Sequence, residues 1–273
     1  MSRRWKSIVL HAVLFAGGLI TLFPLLWMLS ASFMSNGEST IFPPHLVPHA
    51  ATLAQYRTLF LRLSLGRALL SSTIVAGIVT ISSVLFGSMA GYAFAKLRFK
   101  GRERLFGFLI IAIIVPPQVG MLSLFLLIKT LHLVNTYWGV IIPSMATVFG
   151  IFLIRQFMLS VPQELLEAAR IDGAGEFRIY WSVVMPLARP ILATLATFMF
   201  MSTWNDFMWP LIILSSQSRH TLPVALANLL GEHVLDVELM MAGSVVTVLP
   251  VLLLFLVLQR YYIAGLMVGS VKG

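Results

Sequence analysis

Long apolar stretches are the feature of this sequence that most constrains its fold. The hydrocarbon core of a membrane is about 30 Å thick, and a helix needs roughly 20 apolar residues to cross it. Six stretches of about that length occur, at residues 8–29, 68–95, 106–128, 138–157, 191–214 and 240–258. The sequence therefore predicts an all-α membrane protein with six transmembrane helices, folded as one domain over residues 1–273.

Composition agrees with this prediction and argues against several kinds of site. The chain is 59% hydrophobic and 11% charged, whereas a soluble domain is about 25% charged. It has no cysteine, so no thiolate metal site is available, and we expect no metal site. It also lacks the glycine-rich phosphate-binding motif and the nucleophile elbow, so we expect no nucleotide site and no enzymatic chemistry on this chain.

Basic residues are distributed unevenly among the connecting segments. If the amino terminus is cytoplasmic, fourteen of the nineteen lysines and arginines fall on the cytoplasmic side, where basic residues that flank spans are retained. We therefore predict two cytoplasmic termini, a long external segment at residues 30–67 and a shorter external loop at residues 215–239. Three prolines between residues 43 and 48 predict a non-helical loop, followed by a short amphipathic helix at residues 55–63.

The loop at residues 160–189 carries charges of both signs between two apolar stretches. Ser160, three residues before Gln163, predicts a capping box at a helix start, and Gly173 predicts the helix end. A second helical run over residues 174–185 should stop before Pro186, and Pro190 should open the fifth span. On these residues alone, the loop is either a docking surface for another protein or only a solvated helix.

The residues that favour docking are "EAARIDGAGEFRIYWSVVMPLARP", residues 167–190. This stretch is similar to the cytoplasmic coupling loop of binding-protein-dependent ABC importer permeases, with Met185 in place of the usual leucine before proline. Four further stretches resemble the maltose-type carbohydrate subunit and extend the likeness over nearly the whole chain. They are "FPPHLVPHAATLAQYRTLF", "GYAFAKLRFKGRERLF", "WNDFMWPL" and "RYYIAGLMVGSVKG".

The resemblance implies a six-span permease subunit in the bacterial inner membrane. Its partners would be a homologous permease, two ATPase subunits that carry ATP and Mg²⁺, and an external solute-binding protein that docks on residues 30–67 and 215–239. The cargo would be a sugar or related polyol. The residues implied to dock the ATPase are Glu167, Ala168, Ala169, Asp172 and Gly173 in the loop, and Gly265, Gly269, Lys272 and Gly273 in the carboxyl-terminal tail, residues 260–273.

Candidates for the cargo path are Trp204, Asn205 and Asp206 in the fifth stretch and Gln118 in the third. The tryptophan would stack on a sugar ring while the polar groups bind its hydroxyls. The alternatives are an aromatic belt with a structural aspartate, and for Gln118 a proline kink that serves packing.

Two rival functions remain open at the level of sequence. An ion-coupled secondary transporter would use Asp206 as its ion site, because an acidic side chain inside a span usually faces a cavity. A structural membrane subunit would have no cargo path. Gly87 and Gly91, four residues apart in the second stretch, predict close helix packing under each alternative.

Overall fold

The computed structural model describes residues 3–43, 45–62, 64–232 and 236–270, and within these ranges every regular element is a helix. The α-helices are α1 (Arg3–Ala31), α2 (Ala54–Arg57), α3 (Leu65–Lys96), α4 (Arg102–Ile114), α5 (Met121–Thr130), α6 (Tyr137–Ile141), α7 (Val148–Ser160), α8 (Gln163–Ile171), α9 (Glu176–Ile179), α10 (Met185–Leu187), α11 (Arg189–Trp204), α12 (Met208–Ile213), α13 (Leu222–Glu232) and α14 (Val237–Ser270). The remaining helical segments are 3₁₀ turns at Glu38–Thr40, Pro117–Gly120, Ile142–Ser144 and Gln217–Arg219, and π-turns at Thr58–Arg62 and Tyr180–Val184.

Four segments in the described part of the chain are long and apolar enough to cross a membrane. They are Ser7–Ala31, Leu65–Lys96, Tyr137–Ser160 and Val237–Val257. They coincide with the first, second, fourth and sixth predicted spans, each within a few residues.

The third and fifth predicted spans are not continuous helices: the third bends at the proline kink considered above for Gln118, and the fifth has a break that was not predicted. α4 and the helical run Pro117–Thr130 meet at an angle of 96°, because Pro116 and Pro117 lack the amide donors that a helix needs there. In the fifth, α11 ends at Trp204 and α12 begins at Met208. α11 also meets Glu176–Leu187 at 80°, so the chain has up to six spans if each bent pair counts as one.

The described residues form two compact units. The first contains the chain up to Gly66 together with Ala225–Pro250, and the second contains Arg67–Val224 and the chain from Val251 onward. In the second unit, buried apolar side chains from α3, α7, α8, α11 and α12 make one continuous core.

Close backbone approach organises the core of the second unit. A Cβ atom on Gly91 would lie 2.7 Å from the Ile154 side chain, and one on Gly87 would lie 3.5 Å from the Gly150 backbone. At Gly91 this distance leaves α3 and α7 room for little beyond a hydrogen atom, whereas a Cβ atom on Gly87 would make ordinary van der Waals contact. The predicted close packing is therefore confirmed at Gly91.

In the first unit, buried carboxylates fix the long segment between α1 and α3. Glu38 accepts hydrogen bonds from the backbone N–H groups of Ser35 and His49, at 3.0 and 2.6 Å, and these bonds lower the pKa of Glu38. The buried Glu238 accepts from both the N–H and the hydroxyl of Ser39, at 2.8 and 2.7 Å. The described part of this segment has the predicted form, a non-helical loop followed by the short helical stretch Ala54–Arg62.

Two other connections differ from expectation. The external loop predicted at residues 215–239 contains an eleven-residue helix, α13, because the apolar run in "LPVALANLLGE" packs rather than staying in solvent. The carboxyl-terminal tail is helical as far as Ser270, so Gly265 and Gly269 lie in α14. Lys272 and Gly273, two of the predicted docking residues, are outside the described residues.

Candidate functional site

The amino-terminal end of α8 is not formed by the predicted capping box. Ser160 is the last residue of α7, and its hydroxyl donates to the Phe157 carbonyl at 2.7 Å. Pro162 occupies the position before the helix, where no side chain caps the free amides. The helix nevertheless starts at Gln163, because proline fixes an extended approach and costs no backbone hydrogen bond at that point.

The carboxyl-terminal end of α8 is a tight, fully bonded turn. Gly173 has a φ of 82°, the left-handed conformation predicted for it. Its N–H donates to the Arg170 carbonyl, and the N–H of Ala174 donates to the Ala169 carbonyl, both at 3.0 Å. These two bonds define a Schellman motif, which satisfies carbonyls that would otherwise lack partners. The turn therefore ends α8 at a fixed place and in a fixed direction.

The two faces of α8 differ sharply in burial. Leu166 is fully buried in the core of the second unit. The opposite face carries Glu167, Ala168 and Ile171, and all three are exposed. Ile171 follows the other two by four and three residues, the spacing that places side chains next to each other on a helix. Ile171 is 87% exposed. The outer face of α8 therefore ends in an exposed apolar side chain next to carboxylates.

The turn after α8 is attached to α3. Arg170 Nε donates to Glu176 Oε1 at 2.8 Å, which raises the pKa of Arg170, and the Tyr92 hydroxyl donates to Glu176 Oε2 at 2.8 Å. Tyr92 is buried, so this second bond is shielded from water. Near the start of α8, Lys96 Nζ donates to the Val161 carbonyl at 2.6 Å. The segment around α8 is therefore bonded directly to the end of α3, a long apolar helix.

The second helical run of the loop extends further than predicted. It was expected to stop before Pro186, but α10 continues through Pro186 to Leu187. Proline is tolerated there because it stands in the first turn of α10, directly after the π-turn Tyr180–Val184. The prediction that Pro190 opens the next helix is confirmed, since Pro190 lies in the first turn of α11.

The residues predicted to line a cargo path lie at a break between two helices. Trp204 ends α11, is 1% exposed and stacks on Phe200 with ring centroids 5.3 Å apart. Trp209 is also buried, and its indole Nε1 donates to the Gly139 carbonyl at 3.2 Å. Both tryptophans are buried inside the second unit.

Polar side chains lie at this break and at the break in the third apolar stretch. Asn205 is exposed, and its amide donates to the Met201 carbonyl at 2.8 Å. Asp206 is half-buried, and one carboxylate oxygen accepts from the Trp209 N–H at 3.4 Å. Gln118 is exposed in the 3₁₀ turn that breaks the third apolar stretch. Non-helical backbone within a membrane is tolerated where it faces protein or a wet cavity, so both breaks can line an aqueous path.

Comparison with known proteins finds a matching family, similar sequences and a similar solved structure. The family described as binding-protein-dependent transport system inner membrane component matches residues 83–267. The chain is 40% identical over 261 residues to the arabinooligosaccharides transport system permease protein AraQ of Halalkalibacterium halodurans, covering 93% of this chain and 92% of that protein. It is 31% identical over 278 residues to the sn-glycerol-3-phosphate transport system permease protein UgpE of Yersinia pestis, covering 97% of each. A chain of a bacterial ABC transporter involved in the import of the acidic polysaccharide alginate has a TM-score of 0.84 and 26% identity, covering 96% of this chain and 99% of that one.

Proposed function

Because the chain belongs to the family of binding-protein-dependent transport system inner membrane components, we propose that it carries a sugar or related polyol and is driven through α8 by an ATPase. It is an inner-membrane permease subunit of an ABC importer and not an enzyme, and ATP hydrolysis takes place on a separate subunit. A second permease, an ATPase and a solute-binding protein complete such an importer.

The observation that carries the proposal is the outer face of α8. Glu167, Ala168 and Ile171 present one exposed isoleucine between small and acidic residues, while Leu166 anchors the opposite face in the core. Ala168 lets another backbone approach closely, and Ile171 supplies apolar area that an ATPase groove would bury. We assign Ala169, Asp172 and Gly173 to the same docking element, since they form the end of the helix and its turn.

Coupling follows from the attachments of α8. When ATP binding closes the two ATPase subunits, α8 moves with the groove that holds it. The Schellman turn keeps the helix rigid, and the Arg170–Glu176–Tyr92 bonds carry the displacement to α3. Packed helices switch between discrete arrangements, so a small shift at α8 converts an inward-facing cavity into an outward-facing one.

The proposed cargo contacts are Asn205, Asp206 and Gln118. Their side chains offer both donors and acceptors, as hydroxyl-rich cargo requires. The relatives are named as permeases for arabinooligosaccharides and for sn-glycerol-3-phosphate, which share a hydroxylated carbon chain. Trp204 is covered by Phe200 in this structure and would meet a sugar ring only after α11 moves.

Membrane orientation belongs to the same proposal. We assign six spans, with both bent helix pairs counted as spans, and place both termini and α8 in the cytoplasm. The asymmetry of lysine and arginine supports this orientation.

Purification of the tagged chain from its native membrane tests the role of the outer face of α8. We expect a second permease and an ATPase to accompany the wild type. We expect Ile171→Asp to lower the recovered ATPase on the order of tenfold while the second permease stays bound, because a charge replaces buried apolar area. Ile171→Leu is the matched control and should retain the ATPase. Full ATPase recovery with Ile171→Asp would remove α8 from the interface.

A further inference from the structure

The turn between α3 and α4 contains an open cavity that coupling does not use. Its volume is about 640 Å³, and its lining consists of Arg98, Phe99, Gly101, Arg102, Glu103 and Arg104. Three guanidinium groups and one carboxylate therefore share a small space. An excess of positive charge in an open cavity favours an anionic ligand.

The single carboxylate of the cavity is already neutralised from two sides. Glu103 accepts from Arg102 Nη2 at 2.9 Å and from Arg155 Nη2 at 3.1 Å. Arg155 is itself held over the Phe106 ring, 3.9 Å from the ring centroid. The guanidinium groups of Arg98 and Arg104 make no ion pair or side-chain hydrogen bond with any residue that the structure describes. Their charges are available to a ligand.

The surroundings of Arg104 indicate what kind of anion fits. Arg104, Phe108 and Ile111 lie on one face of α4 at spacings of four and three residues. Phe108 is 72% exposed and Ile111 is 61% exposed, so this face presents continuous apolar surface. Phe108 is about 6 Å along the helix axis from Arg104. A ligand for this surface carries a phosphate at one end and hydrocarbon at the other.

We propose that the α3–α4 turn binds an anionic phospholipid of the cytoplasmic leaflet. Arg98 and Arg104 hold the phosphate, and the acyl chains lie along Phe108 and Ile111. The leaflet rests on the orientation given under the proposed function, whereas the binding itself does not. A free phosphate ion would satisfy the arginines and leave the apolar face of α4 uncovered.

Native mass spectrometry of the purified importer, titrated with phosphatidylglycerol and separately with phosphatidylcholine, measures this binding. We expect the wild type to prefer phosphatidylglycerol. Two bases near a headgroup contribute enough that Arg98→Gln/Arg104→Gln should weaken its binding on the order of 25-fold. Lys129→Gln, which removes an exposed base in the last turn of α5, is the control and should bind as the wild type does. Equal affinity of the double variant and the wild type would overturn the site.

Two further experiments complete the test. One asks whether the bound phosphate belongs to a lipid, and the other asks on which side of the membrane the turn lies. Displacement of phosphatidylglycerol by millimolar inorganic phosphate would show an anion site and overturn the lipid assignment. Because the natural chain has no cysteine, Lys100→Cys can be labelled alone with an impermeant maleimide. Labelling only in inverted vesicles is expected, and labelling from outside would overturn the cytoplasmic leaflet. Neither arm uses ATP or cargo, so a failure of the proposed transport function leaves the lipid result readable.

Discussion

At the scale of single residues, Gly91 leaves no room for a side chain between α3 and α7. A methyl group there would overlap the Ile154 side chain at 2.7 Å, whereas one on Gly77, in the same helix, would meet nothing within 4 Å. Overpacking of this kind costs about 1–3 kcal/mol. We therefore expect Gly91→Ala, but not Gly77→Ala, to lower the thermal unfolding midpoint of the purified complex. Tryptophan fluorescence measures this midpoint. Equal midpoints for the two variants would show that α3 and α7 separate without cost.

Residues differ in how far sequence alone predicts their roles. Gly173 was predictable, because a glycine after a run of helix formers usually adopts the left-handed conformation that ends a helix. Ile171 was missed, since an isoleucine in an amphipathic helix normally faces the core, and only the structure gives its exposure of 87%. The spacing of Ile171 from Glu167 and Ala168 was the available signal.

At the scale of elements, the proposed coupling assigns the contact between α8 and α3 the link between ATP hydrolysis and transport. Tyr92→Phe removes a bond to a carboxylate, the kind worth about 1.5–3 kcal/mol. We expect this variant to keep the ATPase bound and to hydrolyse several times more ATP per molecule imported in proteoliposomes. Tyr137→Phe is the matched control. It removes a 2.8 Å hydrogen bond between the Tyr137 hydroxyl and Ser71, which, like Tyr92, lies in α3. An unchanged ratio for Tyr92→Phe would contradict the proposed link.

Helical elements were predictable where apolar runs are uninterrupted and less so where they break. The kink at Pro116 and Pro117 was expected from the missing amides, but its angle of 96° depends on packing that the sequence does not encode locally. The break at Asn205 and Asp206 lies one turn before Pro210, which has no N–H to donate to the Asp206 carbonyl. The proline was visible in the sequence, but it was not used to predict a break. α13 lies inside the predicted external loop and was not predicted as a helix.

At the scale of the whole molecule, the chain is one subunit of an assembly in which transport and ATP hydrolysis take place on different subunits. Its apolar composition provides the membrane-crossing helices, and its family places nucleotide chemistry on another subunit. The named relatives carry different cargo on one architecture. We propose that substrate choice depends on a few polar positions such as Asn205 and Asp206, together with the solute-binding protein.

Uptake by the reconstituted importer tests ATP-driven transport most directly. Proteoliposomes containing this chain, its partner permease and the ATPase, with the solute-binding protein outside, would be supplied with ATP inside or with a proton or sodium gradient instead. We predict uptake of the labelled sugar with ATP and none with either gradient, and we predict that Glu167→Lys abolishes uptake. Uptake driven by an ion gradient without ATP, and lost in Asp206→Asn, would instead identify an ion-coupled carrier.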